Sequence, residues 1–228
     1  MSDEAIRRAF AEDGFVRIPR FFTPTETAEI EHALQTYMHG DMLAAPGGFD
    51  GHNYSCEVEG DLSTVWRISG INSEPLHALG RGRLTELFSL AVGAAAGSVA
   101  GDCAPGGREA DAHYDVQFFD KMPGGERHTP PHQDGGYSDL THVLAPVHEA
   151  DYCDESGNCV VVLDDLGPGS GGLWYLRGSH RQGLRRHGAG VVSFSQAIPE
   201  LSAEERRDAV PLTANRGDVI VHVSAASR

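Results

Sequence analysis

The chain has 228 residues, with 33 acidic side chains against 18 basic ones and a net charge of −15. That balance excludes a phosphate backbone and an anionic membrane surface as partners, since both need clustered Lys and Arg. The four cysteines form no Cys-x-x-Cys pair, and no run of about 18 apolar residues is present to span a bilayer. Free thiols in a reducing cytoplasm are the expectation, and the acidic start Met1-Ser2-Asp3-Glu4 lacks the apolar region of a signal peptide.

Residues 3–13 read as a helix. Ala5, Ile6, Ala9 and Phe10 form a one-sided apolar stripe, Asp3 and Glu4 suit the N-terminal dipole, and Gly14 is a natural stop. Phe15-Val16-Arg17-Ile18 is a short strand. Thr23-Pro24-Thr25-Glu26 carries a helix start: Thr as N-cap, Pro at the first position and Glu at the third for a capping box. Ile30, Ala33, Leu34, Tyr37 and Met38 form that helix's buried face. Residues 40–62, rich in Gly, Asp and Asn, read as a loop of the kind that serves as a lid or binding segment. A third helix runs from Leu84 to about Ala96, lined by Leu84, Leu87, Phe88 and Ala91.

After Gly107 the texture becomes strand-like. His113 to Lys121 places Tyr114, Val116 and Phe118 on one face. Short apolar runs then follow at 159–163, 172–176, 190–194, 209–212 and 219–223, separated by turns. Many short strands with Gly and Pro between them indicate a sandwich or barrel, here with a helical layer packed on one face. With no internal repeat and no linker, residues 1–228 read as a single domain. Its helical part covers about 1–106 and its β-roll about 107–228.

The chemistry centres on Thr129-Pro130-Pro131-His132-Gln133-Asp134. On a strand, residues i and i+2 share a face, so His132 and Asp134 can grip one metal ion together. An imidazole and a carboxylate are two thirds of the facial triad that leaves iron(II) open positions for a co-substrate and oxygen. A His-x-Asp alone is weak in a chain with 12 histidines, and a surface His–Asp hydrogen bond is the plain alternative. Trp174 and Tyr175 point to opposite faces of their strand, so one fills the core while the other meets pocket or solvent. Tyr137 follows the His-x-Asp pair closely enough to touch a substrate. Lys121, the only lysine, could attract an acidic co-substrate or simply end a strand in solvent.

The order of these segments carries a resemblance. Phe10 to Val16, the Lys121-Met122-Pro123-Gly124-Gly125 lead into His132-Gln133-Asp134, the Leu176-Arg177-Gly178-Ser179-His180 turn (with Arg177 where Pro is usual) and Gly217-Asp218 with its apolar strand resemble, in sequence, the phytanoyl-CoA dioxygenase family of iron(II)/2-oxoglutarate oxygenases. The resemblance implies a double-stranded β-helix, a cupin-like jelly roll. It implies iron(II) held by His132 and Asp134, and 2-oxoglutarate as co-substrate near Gln117. O2 and a small organic substrate complete the set, and the products are succinate, CO2 and a hydroxylated compound.

One part of the pattern departs. The family's distal histidine falls ten residues after the Asp of the Gly-Asp pair, and here that position is Arg228. A guanidinium offers a metal no lone pair. The family's 2-oxoglutarate-binding Arg or Lys and the closing strand of the roll lie further on still. Three explanations stand: a truncated form of a longer protein, a degenerate non-catalytic member serving as a binding or scaffold protein, or His222 as replacement ligand. His222 lies about 20 Å from position 228 along an extended strand at ~3.3 Å per residue, and a packed strand histidine is its alternative reading. Residues 40–62 and 139–158 are the expected specificity loops.

Overall fold

The computed structural model describes residues 1–44, 53–58, 61–92, 116–120, 131–133, 157–182, 191–192, 195–196 and 201–223. Asp134, Lys121 and Tyr137 lie outside the described residues, as do Tyr114 and the expected helix end beyond residue 92.

The N-terminal elements follow their local chemistry. Helix α1 spans Asp3–Asp13; the Ser2 hydroxyl accepts from the Ala5 N–H at 3.3 Å, and Ile6 and Phe10 are buried. Gly14 ends it at φ 82°, its N–H bonded to the Phe10 carbonyl at 2.8 Å, a left-handed cap that only glycine adopts cheaply. Strand β1 is Phe15–Ile18. Helix α2, Pro24–His39, begins with the expected capping box: the Glu26 N–H donates to the Thr23 hydroxyl at 3.2 Å, and the Glu26 carboxylate accepts from the Thr23 N–H at 2.8 Å. Ile30, Leu34, Tyr37 and Met38 are buried as the periodicity requires.

The described parts of the 40–62 stretch hold regular structure that its composition does not suggest. They contain α3 (Asp41–Ala44), whose Met42 is fully buried, and β2 (Asn53–Cys56). A 3-10 turn at Leu62–Thr64 leads into β3 (Val65–Ser69), then α4 (Glu74–Leu79) and α5 (Thr85–Val92). A π-turn over Gly80–Leu84, kinked at Gly82, separates the two helices and ties Thr85 rather than Leu84 to the start of α5.

The later strands are β4 (Phe118–Phe119), β5 (Gly157–Val161), β6 (Trp174–Tyr175), β7 (Val191–Val192), β8 (Ser195–Gln196), β9 (Val210–Pro211) and β10 (Val219–Val223). Between β8 and β9 lies a short helix, α6 (Ala203–Asp208), with a second capping box built by Ser202 and Glu205.

Among the described residues, one antiparallel sheet has the order β1-β10-β5 and another the order β2-β3-β4; β6 pairs with β9 and β7 with β8. The first sheet sews the chain's beginning to its far end: Phe15 faces His222 and Ile18 faces Val219, while Val219 faces Val161 on the other side. Every residue of β10 is buried. Val219, Ile220 and Val221 have no solvent exposure, and each such side chain contributes on the order of 1.5–3 kcal/mol. A continuous apolar run, rather than an alternating one, is what a strand covered on both faces requires.

The Gly217-Asp218 pair sets the entry to β10. Gly217 sits at φ 87°, and a Cβ there would lie 2.6 Å from the Phe22 carbonyl oxygen. The buried Asp218 carboxylate accepts from the Arg20 N–H at 2.7 Å and the Asn215 N–H at 2.8 Å, with the Arg17 guanidinium 3.7 Å away. Arg20 holds a left-handed φ of 52°, rare for a side-chain-bearing residue, and the carboxylate fixes its amide there.

Candidate functional site

The candidate metal histidine is inside the protein. His132 is 4 % exposed and Gln133 1 %. The described residues 131–133 make no strand ladder; a bend at Pro131 leads into irregular backbone, so the expected strand pairing is absent there. Proline lacks an N–H to donate and biases the residue before it to extended backbone, which favours this exit from regular structure. Among the described residues no group of three His, Cys, Asp or Glu side chains is placed to hold a metal ion.

His222 has other work. Its Nδ1 lies 3.0 Å from the Tyr175 hydroxyl and its Nε2 3.3 Å from the Asn158 side-chain nitrogen. Asn158 donating to Nε2 places the ring proton on Nδ1, which donates to Tyr175. Tyr175 is fully buried and stacks on Phe15 with ring centroids 4.3 Å apart. The network joins β1, β5, β6 and β10 around one imidazole, so His222 reads as a structural histidine. Tyr175 is the core member of the Trp174-Tyr175 pair, and Trp174 is the solvent-facing member at 45 % exposure.

The β2-β3-β4 sheet divides its residues by face. Val65, Ile68, Tyr54, Cys56, Val116 and Phe118 belong to or pack on the hydrophobic core. A register shift next to Ser55 and Cys56 brings Val65 and Ile68 onto that same side. The other face carries Ser55, Arg67, Ser69, Gln117 and Phe119. Arg67 stands opposite Ser55 on one neighbour and Phe119 on the other, and directly opposite residues share a face. Gln117 is exposed, two residues before Phe119, and continues the row toward Ser69. The Arg67-Ile68-Ser69 alternation could have revealed this strand in the sequence, because it places polar groups at period two.

The 179–182 turn after the Gly-Ser pair docks on the end of α1. The Gly178 N–H donates to the Asp13 carbonyl at 3.0 Å, Arg181 donates to the Ala11 carbonyl at 2.9 Å, and Arg177 pairs with the Asp13 carboxylate. His180 Nε2 approaches the same Ala11 carbonyl at 3.3 Å, while its buried Nδ1 has no hydrogen-bond partner among the described residues. Burial, reinforced by the Arg181 charge, pushes the His180 imidazole below its ordinary pKa, against the opposing pull of the Ala11 carbonyl and Asp13. The Cys159 thiol is raised to about 12 by burial, which marks it as inert rather than nucleophilic.

Solved structures share this fold. AviO1 from Streptomyces viridochromogenes Tue57 is 20% identical with a TM-score of 0.58, covering 99% of this chain and 86% of that one. EvdO2 from Micromonospora carbonacea var. aurantiaca, solved in complex with 2-oxoglutarate, is 18% identical with a TM-score of 0.60, covering 100% and 83%. The epimerase SnoN, solved with Fe3+, alpha ketoglutarate and nogalamycin RO, is 15% identical with a TM-score of 0.57, covering 99% and 75%. No curated protein sequence matches the chain. No described helix is long and apolar enough to cross a membrane. The family model for phytanoyl-CoA dioxygenase matches residues 10–226, a span that holds both the His132 segment and the Gly217-Asp218 entry to β10, and the chain belongs to that family.

Proposed function

We propose that the protein is an iron(II)/2-oxoglutarate-dependent oxygenase of the cytoplasm, built as a single-domain jelly roll, that hydroxylates a small organic substrate. The observation that carries the reading is the family match over residues 10–226, which spans the buried His132 and, two residues on in sequence, Asp134. The donor set fits the metal: a buried imidazole and a carboxylate two residues on supply the hard and borderline ligands that iron(II) takes in this arrangement. EvdO2 and SnoN, which share the fold, were solved with 2-oxoglutarate and with Fe3+ and alpha ketoglutarate respectively.

With iron(II) and 2-oxoglutarate bound, the cofactor pair would couple decarboxylation of the co-substrate, to succinate and CO2, to hydroxylation of a C–H bond. The chain's own share is placement and shielding. Burial of His132 removes the site from bulk water. Gln117, which precedes β4, and Lys121, two residues past β4 in sequence, are the candidates to receive a co-substrate's polar groups. Trp174 and Tyr137 are the candidates for substrate contact. His222 is assigned to the strand network and not to iron, because each of its ring nitrogens already has a protein group within hydrogen-bond distance.

The test is succinate formation from 2-oxoglutarate by anaerobically iron-loaded protein on exposure to O2, with His132→Ala and Asp134→Ala alongside. Turnover in the wild type that both substitutions abolish supports the reading. Absence of both iron binding and turnover in the wild type replaces it with that of a non-catalytic family member.

A further inference from the structure

The turn that docks on the end of α1 holds a titratable ring that the oxygenase reading does not use. The Gly178 N–H donates to the Asp13 carbonyl at 3.0 Å, and Arg177 pairs with the Asp13 carboxylate. Arg181 and His180 both reach the Ala11 carbonyl, at 2.9 and 3.3 Å. We propose that protonation of His180 releases the 177–182 turn from α1 while the sheets stay folded, so that this contact is a latch opened by acid.

The ring's two nitrogens have unequal surroundings. Nε2 faces a carbonyl oxygen, so in the neutral ring it carries the proton and donates it to Ala11. A second proton therefore has to go on Nδ1. That nitrogen is shielded from solvent and has no hydrogen-bond partner among the described residues. It lies against Gly14, where an added Cβ would collide with it. As a bare lone pair it is tolerated there. As a charged N–H it becomes a buried donor with no acceptor, a far more costly group.

The charges around the ring do not offset that cost. Arg181, in the same turn, opposes protonation; Asp13 on α1 favours it, but its carboxylate is already held by Arg177. Glu12 is exposed, and it is its backbone oxygen that lies near Gly178. Phe15 of β1 follows Gly14, and Val223 of β10 donates to the Gly14 carbonyl at 3.2 Å; neither is charged. His222 is turned to Tyr175 and Asn158. On the far side, Glu205 and Asp208 of α6 face the turn across a cleft that Arg177, Ser179 and Gln182 line and His180 does not. Burial is the largest influence, and it holds the imidazole below its ordinary value. The docked turn therefore keeps its full stability above about pH 6.5 and loses it as pH falls through the lower docked value. Leu176 alone separates the turn from Tyr175, so opening the latch slackens the link between α1 and the buried Tyr175–His222 pair. The latch needs neither metal nor co-substrate and stands apart from the oxygenase reading.

Two NMR signals of the full chain test this between about pH 7.5 and about pH 4.5: the His180 Cε1–H shift, and the exchange of the Gly178 amide corrected for its intrinsic pH dependence. The Ile220 amide in β10 reports global opening. The expected result is that Gly178 protection falls below about pH 6.5 and levels off beneath the His180 midpoint, while Ile220 stays protected. The size of the fall is tied to the titration, at about tenfold for each unit by which that midpoint lies below about 6.5. Arg181→Gln removes the repelling cation, so it should raise the His180 midpoint and shrink the fall by the same factor. His180→Gln keeps an N–H donor without a titrating ring, and the pH dependence of Gly178 protection should vanish in it at whatever level of protection remains. Protection of Gly178 that is constant in the wild type, that falls together with Ile220, or that falls equally in His180→Gln overturns the proposal.

Discussion

Replacing Asp218 with Asn tests the role of the Gly-Asp pair. The two carboxylate oxygens have separate duties: Oδ1 accepts from the Arg20 N–H at 2.7 Å and Oδ2 from the Asn215 N–H at 2.8 Å. An amide has one oxygen, so in either orientation one backbone N–H faces an NH2 group and loses its acceptor. Orphaning a buried N–H costs about 1–3 kcal/mol, and the surviving bond loses its charge assistance, about 1 kcal/mol more. The total is roughly 2–4 kcal/mol, undiminished by solvent because Asp218 is fully buried. For a domain of this size each kcal/mol shifts the melting temperature by about 2–4 °C, so the expected fall is about 4–16 °C. Thermal unfolding followed by far-UV circular dichroism, with urea unfolding as a second measure, reads this directly. A melting temperature within about 1 °C of wild type refutes the claim that Asp218 ties the Arg20 corner to the start of β10.

Four further predictions rest on other contacts. Tyr175→Phe removes the partner of His222 Nδ1 in a dry interior and is expected to lower stability by about 1–3 kcal/mol in urea unfolding, with little change if the hydrogen bond is absent. Gly14→Ala forces a left-handed backbone onto an L-residue, about 1–2 kcal/mol, and drives its Cβ into the His180 ring. Gly14→Ala combined with His180→Ala should recover part of that loss, and strict additivity would count against the contact. His180 is held below its ordinary value of about 6.5, so the unfolded chain takes up a proton first. Its contribution is therefore present above about pH 6.5 and is lost as pH falls through the lower folded value. His180→Asn should flatten the acid limb of the stability curve in that window. Cys159, raised to about 12, should resist thiol reagents at neutral pH until the protein is unfolded, and rapid labelling of the native state would contradict its burial.

The parts legible in the sequence were those with local causes. Gly14, Thr23 and Glu26 announce their helix ends because a cap is a contact between neighbours in the chain. The run Val219–Val223 announces a strand buried on both faces because no polar residue but His222 interrupts it. What stayed hidden depended on distant partners. β2 lies in a stretch whose Gly, Asp and Asn content reads as loop, and it becomes a strand through β3, which pairs it across the sheet. The helix at Ala203–Asp208 was legible in principle, since Ser202 and Glu205 spell a capping box, but it is only six residues long and buries none of them. The place of His222 could not be read from β10 alone: Phe15, Asn158 and Tyr175, which surround it, are scattered along the chain and meet only when the sheet forms.

The site was legible as residue types rather than as geometry. His132 is recognisable from its Pro-Pro-His-Gln-Asp setting, and its burial agrees with an interior role. The Arg67 face was missed because its polar alternation covers a single short strand, and its meaning appears only once Ser55 and Phe119 stand on either side.

The most direct measurement of the central claim is anaerobic titration of the metal-free protein with iron(II) and 2-oxoglutarate, followed by the visible charge-transfer absorption that keto-acid chelation of iron(II) produces. The account predicts that the band forms in the wild type and in a folded His222→Asn variant, and that it is lost in His132→Ala and Asp134→Ala. A band that survives loss of His132, or one that vanishes only with His222, would contradict it.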